Sequence, residues 1–466
     1  MTDPGRVVII GAGPAGLGAA YRLAEHGHDA VTLLERAAGP GGLATSYVDD
    51  HGFTWDVGGH VQFSHYAYYD AVLDRALGDA WLHHQRESWV WIKGRFVPYP
   101  FQNNIHRLDP DDRARCLADL ERAAAQAPQR PRDFGEWVDR TFGGGLATLF
   151  LVPYNQKVWG YPLARLGTRW MGERVAVPDV ARIKANIADN RDDVGWGPNR
   201  TFRFPRRGGT GAIWRAVAGL LKPERMTFRA EVARIELAAR VVVLTDGRRV
   251  PFDSLVSSMP LDRLCALTEG LPAWTARAAD SLVHSAVHIL GVGLRGTPPP
   301  ALATKCWMYF PEANSPYYRV TVFSNYSPAN VPPGAHWSLM AEVCETSWRP
   351  VDAASLADWT VRAMREDRLI PPDAEVVTVW HRREEHGYPT PFVGREAVVE
   401  PLRRELERHR IYSRGRFGAW LYEVSNQDHT FMQGVEVADR LSGAGGEPTL
   451  DTPDYVNSGA LLRTAG

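Results

Sequence analysis

An α/β architecture is predicted, with a parallel-sheet dinucleotide-binding domain interrupted by a helical insertion and a mixed β-sheet domain. Three observations predict it. "RVVII" (Arg6 to Ile10) runs straight into "GAGPAG", then into an apolar-periodic helix that stops at Gly27, and then into "AVTLLE". A charged, alanine-rich helical stretch begins near Leu108. From Thr227 and again from Ser285, short alternating runs with turn residues between them read as strands.

The N-terminal elements carry the first chemistry. Gly11, Gly13 and Gly16 form a G-x-G-x-x-G turn between strand and helix, the context that gives the pattern meaning. Such glycines let backbone approach a pyrophosphate, the helix start offers it unpaired N–H groups, and Glu35 at the next strand end accepts ribose hydroxyls. The loop "GPGGLATS", with Gly42 and Leu43, follows at once. A second glycine-rich loop at this place resembles flavoproteins of the amine oxidase and glutathione reductase type, so the Rossmann-like domain is expected to bind FAD.

Composition narrows the partners. The chain has 466 residues and a formal net charge of -1, which gives no global attraction to nucleic acid or an anionic membrane. No basic leader precedes an apolar run and no later run reaches bilayer length, so a cytoplasmic protein is the expectation. The four cysteines are scattered too widely for a metal cluster or disulfide framework, and no metal is expected.

The domain reading is discontinuous. Residues 1–103, 198–284 and 396–466 are assigned to the FAD-binding domain, 104–197 to a mainly helical domain with a mobile substrate loop, and 285–395 to a β-sheet substrate domain. A turn is expected at Asp246-Gly247 and a helix over 355–366.

Further along, "DVGGHVQFSHY", "VPYPFQNNI", "PYNQKVWG", "GERVAVPD", "GPNRTFRFPRRGGTGAIW", "KCWMYFPE", "YYRVTVFSNYSP", "HGYPTP" and "SRGRFGAWLYEVSNQDHTFM" occur in this order. Together they resemble the UDP-galactopyranose mutases of eukaryotic type, over about Arg6 to Arg440. The resemblance implies flavin-dependent interconversion of UDP-galactopyranose and UDP-galactofuranose, an isomerase reaction in which N5 of reduced FAD is the nucleophile at the anomeric carbon.

It also implies roles for residues. Gly59 and His60 lie over the flavin; Gly59 supplies a carbonyl acceptor when N5 becomes a donor, since a glycine peptide rotates at little steric cost. Arg174 and Arg319 hold the diphosphate, because the planar guanidinium pairs two oxygens and stays charged. Tyr309, Tyr388 and Tyr422 donate to the same group. Tyr99, Phe101, Gln102 and Asn155 meet uracil and ribose, and Trp159, Asn199 and Trp307 line the sugar. Asn426, Gln427 and Arg416 fall at cofactor positions. Reduction by NADPH or NADH is implied at the same cleft, with Arg86 and Ser88, and with Arg416 beside them.

Departures leave alternatives open. Gln62 stands in the gating block where an aliphatic residue is usual, so the same chemistry on another nucleotide sugar is one alternative. An FAD-dependent amine oxidase-like enzyme is another. The insertion after "SNYSP" and the C-terminal tail are shorter than in fungal members, so a tetramer is not assumed.

Overall fold

The structure, a computed structural model, describes residues 3–463. Its floor is a five-stranded parallel sheet in the order Ile411–Ser413, Ser254–Ser257, Val7–Ile10, Val31–Glu35, Met226–Phe228. Strands drawn from three separated parts of the chain explain why the dinucleotide-binding unit is discontinuous. Val7–Ile10 is buried at every position, as a central parallel strand covered on both faces requires. Helix Pro14–Glu25 packs against it and against helix Gln427–Leu441.

A four-stranded sheet, Arg249–Pro251, Val241–Leu244, Val232–Glu236 and Thr268–Glu269, stands beside this unit. Its hairpin turns at Asp246-Gly247, as the sequence predicts. Asp246 Oδ1 accepts from Arg248 N at 3.0 Å, an Asx-type turn.

The second large sheet has seven strands, ordered Val376–Pro389, His284–Arg295, His336–Glu345, Arg319–Val322, Trp307–Tyr309, Ser88–Ile92, Arg95–Pro98. Two of these correct the expected boundary. Residues 88–98, assigned by sequence to the FAD-binding part, form a hairpin that docks parallel to Trp307–Tyr309. One face of the sheet packs Leu290, Val292, Val320 and Leu339 on Leu356, Ala363 and Met364, the latter three from helix Leu356–Glu366. The other face looks into the cleft.

Register decides which side chains share that cleft face. Tyr309 pairs with Arg319, and Arg319 with Glu342, in one cross-strand row; Ser88, Trp307, Thr321 and Met340 form the next.

The helical domain comprises Pro110–Ala124, Phe134–Leu146, Val152–Trp159 and Val180–Asp189. A single π-helical turn, Ala147–Leu151, precedes Val152–Trp159. Pro153, which has no N–H to donate, follows that turn, and the wider winding sets the direction in which Asn155 and Trp159 leave the helix. Among the described residues no helix is long and apolar enough to cross a membrane.

Candidate active site

The glycine turn fits a dinucleotide. A Cβ at Gly16 would lie 1.8 Å from Gly11 O, so only glycine lets turn and helix close to this distance. The second loop folds onto the first, Gly41 N donating to Ala12 O at 2.9 Å, which brings Gly42 against Gly13. Leu43 packs between the two adjoining apolar cores. Buried Glu35 accepts from Ala12 N and Ala37 N, both at 2.7 Å, and is thereby fixed at the strand end where a ribose would lie.

At the other end of the cleft stands the loop Val57–His60. Asp56 anchors it: buried, it accepts from Ser46 Oγ at 2.5 Å and Thr210 N at 3.1 Å, and burial pushes its carboxyl up to about 6. Gly58 has φ +104°, and His60 N donates back to Gly58 O at 2.9 Å, closing a three-residue turn about Gly59. A Cβ at Gly59 would lie 2.6 Å from Thr321 Oγ1. Gly59 N donates to Glu342 Oε1 at 3.0 Å.

His60 faces this same carboxylate. Burial pushes its imidazole down to about 4, opposed by Glu342 and reinforced by Arg416 and Arg319, so the ring is neutral at physiological pH. Its Nδ1 is buried with no hydrogen-bond partner among the described residues.

Arg319 Nε and Nη2 donate to Glu342 at 2.7 and 2.8 Å, and Tyr318 OH donates to Glu342 Oε2 at 2.8 Å. Tyr318 OH also reaches Tyr388 OH at 3.4 Å. Opposite them, Arg174 Nη1 donates to Asn426 Oδ1 at 3.2 Å and Nη2 to Glu423 O at 3.0 Å, with the guanidinium 4.9 Å from the Tyr422 ring centre. Arg416 lies 4.8 Å from the Tyr388 ring and 5.8 Å from that of Tyr422, and donates to Gly387 O and Ser425. Burial pulls its guanidinium below the ordinary value, and the nearby charge of Arg174 pulls the same way. Three guanidiniums thus gather on a tyrosine wall, one of them bound to Glu342.

The aromatic side chains form that wall. Tyr388 and Tyr422 sit 5.7 Å apart, and Trp159 packs edge-on to Tyr422 at 4.8 Å. Burial pushes the Tyr388 phenol up to about 12, keeping it a neutral donor. On the facing side Tyr309 contacts Tyr99 and Tyr154, each at 5.2 Å, and Trp307 Nε1 donates to Tyr309 OH at 2.6 Å.

Two loops from the helical domain are held down over this space. Gln102 Nε2 donates to Ala176 O at 2.5 Å, pinning the loop that carries Arg174. Arg86 donates to Asn199 Oδ1 and Trp196 O, pinning the other. Ser88 Oγ is buried with no partner among the described residues.

Some expected residues stand elsewhere. Phe101 is fully buried against Phe150 in the core of the helical domain, so no face of its ring is open to a base. Asn155 is buried with its amide donating to Leu151 O at 2.8 Å, a bond within its own helix. Gln427 accepts from Trp214 Nε1 at 2.7 Å, which ties it to helix packing. Gln62 is buried and accepts from Tyr69 OH at 2.6 Å, and its Nε2 has no hydrogen-bond partner among the described residues.

The sequence reading missed Glu342, Tyr318 and Tyr154. Tyr318 lay in "YYRVT" beside a chosen arginine, and the pairing partner of Arg319 is a strand acid in "MAEV" that only the register reveals. Tyr154 lay in "PYNQKVW" one residue before Asn155.

Comparison with known proteins fits this geometry. A family model for flavin-containing amine oxidoreductases matches residues 14–442. A crystal structure of a reduced UDP-galactopyranose mutase superposes with a TM-score of 0.95 at 49% identity, over 97% of this chain and 99% of that one. A putative protoporphyrinogen oxidase from Exiguobacterium sp. 255-15 shares the fold, with a TM-score of 0.67 at 16% identity over 97% of this chain and 99% of that one. A zeta-carotene-forming phytoene desaturase from Myxococcus xanthus matches locally, 49% identical over 57 residues; the match spans 12% of this chain and only 11% of that relative's length. The chain belongs to the family of flavin-containing amine oxidoreductases and, within it, to the UDP-galactopyranose mutases.

Proposed function

We propose that the protein interconverts UDP-galactopyranose and UDP-galactofuranose with FAD in its reduced form. The observation that carries this reading is the convergence of Arg174, Arg319 and Arg416 on the Tyr388–Tyr422 wall, where Glu342 binds one of the three. A surplus of buried positive charge calls for an anion of more than one charge, and a nucleoside diphosphate supplies it. The same surplus repels a protonated amine, which disfavours the amine oxidase reading.

When bound and reduced, the flavin supplies an electron-rich N5 for the anomeric carbon. The chain does the rest. Arg174 and Arg319 hold the diphosphate as the bond to the sugar breaks and keep it for return; Tyr309, Tyr388 and Tyr422 donate to it. Neutral His60, next to Gly59, packs at the turn where a backbone acceptor is needed. Tyr99 faces the uracil end, beneath loops that Gln102 and Arg86 hold shut; Trp307 gives the sugar a flat apolar wall, and Trp159, buried behind Tyr422, backs the tyrosines. Closure excludes water that would otherwise intercept an opened sugar.

Reduction by NADPH or NADH at the same cleft belongs to this reading. It is supported by Arg86 and by Ser88 Oγ, which has no partner among the described residues, on the strand beside Trp307.

Positional isotope exchange tests the reading. With 18O in the bond between the anomeric carbon and the β-phosphorus, reduced protein should scramble the label among the β-phosphate oxygens, because the diphosphate leaves, rotates and returns. Label retained in the bridge while the sugar isomerises would contradict departure of the diphosphate.

A further inference from the structure

We propose that Asp262, His284 and His386 form a binding site for one divalent transition-metal ion of the Zn2+ class, at the seam between the dinucleotide-binding part and the seven-stranded sheet. The three side chains come from different elements. Asp262 is in the first turn of helix Leu261–Leu267, His284 opens strand His284–Arg295, and His386 lies near the end of strand Val376–Pro389.

Backbone irregularity brings the histidines together. Ser285 pairs with Tyr388, but the next register pair is Val287 with Glu384, so Glu385, His386 and Gly387 bulge opposite Ala286. Bulges of this kind re-aim a side chain, and here the result is two imidazoles stacked at 4.2 Å with 21° between their planes. Asp262 Oδ2 lies 2.9 Å from His386 Nε2 and 4.0 Å from His284 Nε2. A ligand atom from each of the three lies within 4.8 Å of the others.

Hydrogen bonding alone does not account for this cluster. The carboxylate satisfies His386 but stands 4.0 Å from Nε2 of His284, too far for a hydrogen bond. Two imidazoles with one carboxylate make the N2O donor set that suits zinc and its neighbours. Asp262 Oδ1 accepts from Arg263 N at 2.7 Å, an outer bond that orients the carboxylate. The side chains of Asp262, His284 and His386 keep 23%, 20% and 13% exposure, which leaves a path for the ion, while Trp420 and Phe417 wall the other side.

The position gives the site a consequence. Gly387, in the same bulge, accepts from Arg416 Nε and Nη2 at 3.3 and 3.2 Å, and Tyr388 follows. An ion at the bulge would stiffen the backbone that holds both of these cleft residues.

Equilibrium dialysis of untagged, FAD-loaded, chelator-treated protein against Zn2+ tests this, with Co2+ absorption as an independent readout. The comparison is the Asp262→Asn/His386→Gln double variant, checked for folding by its flavin spectrum, and His284→Gln as a second variant. The wild type should bind one more ion per chain than either variant, show Co2+ ligand-field bands that they lack, and gain melting temperature with Zn2+ where they do not. Equal stoichiometry and equal melting shifts in all three proteins would overturn the proposal.

Discussion

Glu342 bonds the guanidinium of Arg319 and the backbone amide of Gly59 at once, through contacts of 2.7 and 3.0 Å. One carboxylate therefore ties an arginine of the anion site to the turn that precedes His60. Removing it would leave half-buried Arg319 without its counter-charge, a loss below the about 3–5 kcal/mol of a fully buried pair. Glu342→Ala is expected to lower the denaturation midpoint by a corresponding amount. Glu342→Gln, which keeps the acceptor oxygen but not the charge, should retain more stability yet bind UDP with altered affinity; urea melts and UDP titration check both.

Arg174 makes its contacts on a loop, to Asn426 and Glu423 O, and reaches across to Tyr422. Each charge-assisted hydrogen bond to an anion contributes about 1.5–3 kcal/mol. Arg174→Ala should therefore raise the KM for the UDP-sugar at least tenfold and reduce kcat, with FAD content unchanged. Steady-state kinetics equal to wild type would remove Arg174 from the diphosphate site.

Among the described residues His60 has no partner for Nδ1, and it is held neutral, its imidazole pushed by burial down to about 4. His60→Ala should lower turnover many-fold while the flavin stays bound. Because the ring does not gain a proton above about pH 5, the pH profiles of wild type and variant should keep the same shape from there upward, differing in height alone. A limb near pH 6 that vanishes in the variant would show that His60 titrates in the working range.

Glu436 is buried, accepts from Thr449 N and Oγ1 at 3.0 and 2.6 Å, and is pushed by burial up to about 8. In the unfolded chain it loses its proton near 4.5. Between these values the folded protein holds the proton and the unfolded one does not, so this group's contribution to stability is present below the lower value and is lost as pH rises toward 8. Glu436→Gln should flatten the fall of melting temperature over that window; an identical pH slope in wild type and variant would refute the assignment.

Phe101 distinguishes packing from recognition. Its ring is fully buried on Phe150, so Phe101→Ala should cost about 3–5 kcal/mol of stability by creating a cavity. Binding of UDP measured well below the melting temperature should change far less. A stable variant with weakened UDP binding would return Phe101 to the uracil site.

What the sequence made legible follows from the range of the signals. The glycine turn, its helix and Glu35 lie within thirty or so residues, and local pattern with turn chemistry defines them. Arg174, Arg319, Tyr388 and Tyr422 were legible through motif resemblance, and the structure brings them together. Glu342 was not, because a buried acid in an apolar strand shows its purpose only when register sets it opposite Arg319. The hairpin at 88–98 fell within the range given to the FAD-binding domain, because strand alternation says nothing about which sheet a strand joins. Phe101 and Asn155 have residue types that suit either a binding site or an interior, and burial decided between them.

The most direct measurement is conversion itself. FAD-loaded protein, oxidised or reduced with dithionite under anaerobic conditions, is incubated with UDP-galactofuranose and the nucleotide products are separated. UDP-galactopyranose formed by the reduced protein alone is the predicted result. No conversion in either state, with oxygen consumed when amines are supplied, would contradict a flavin-dependent mutase.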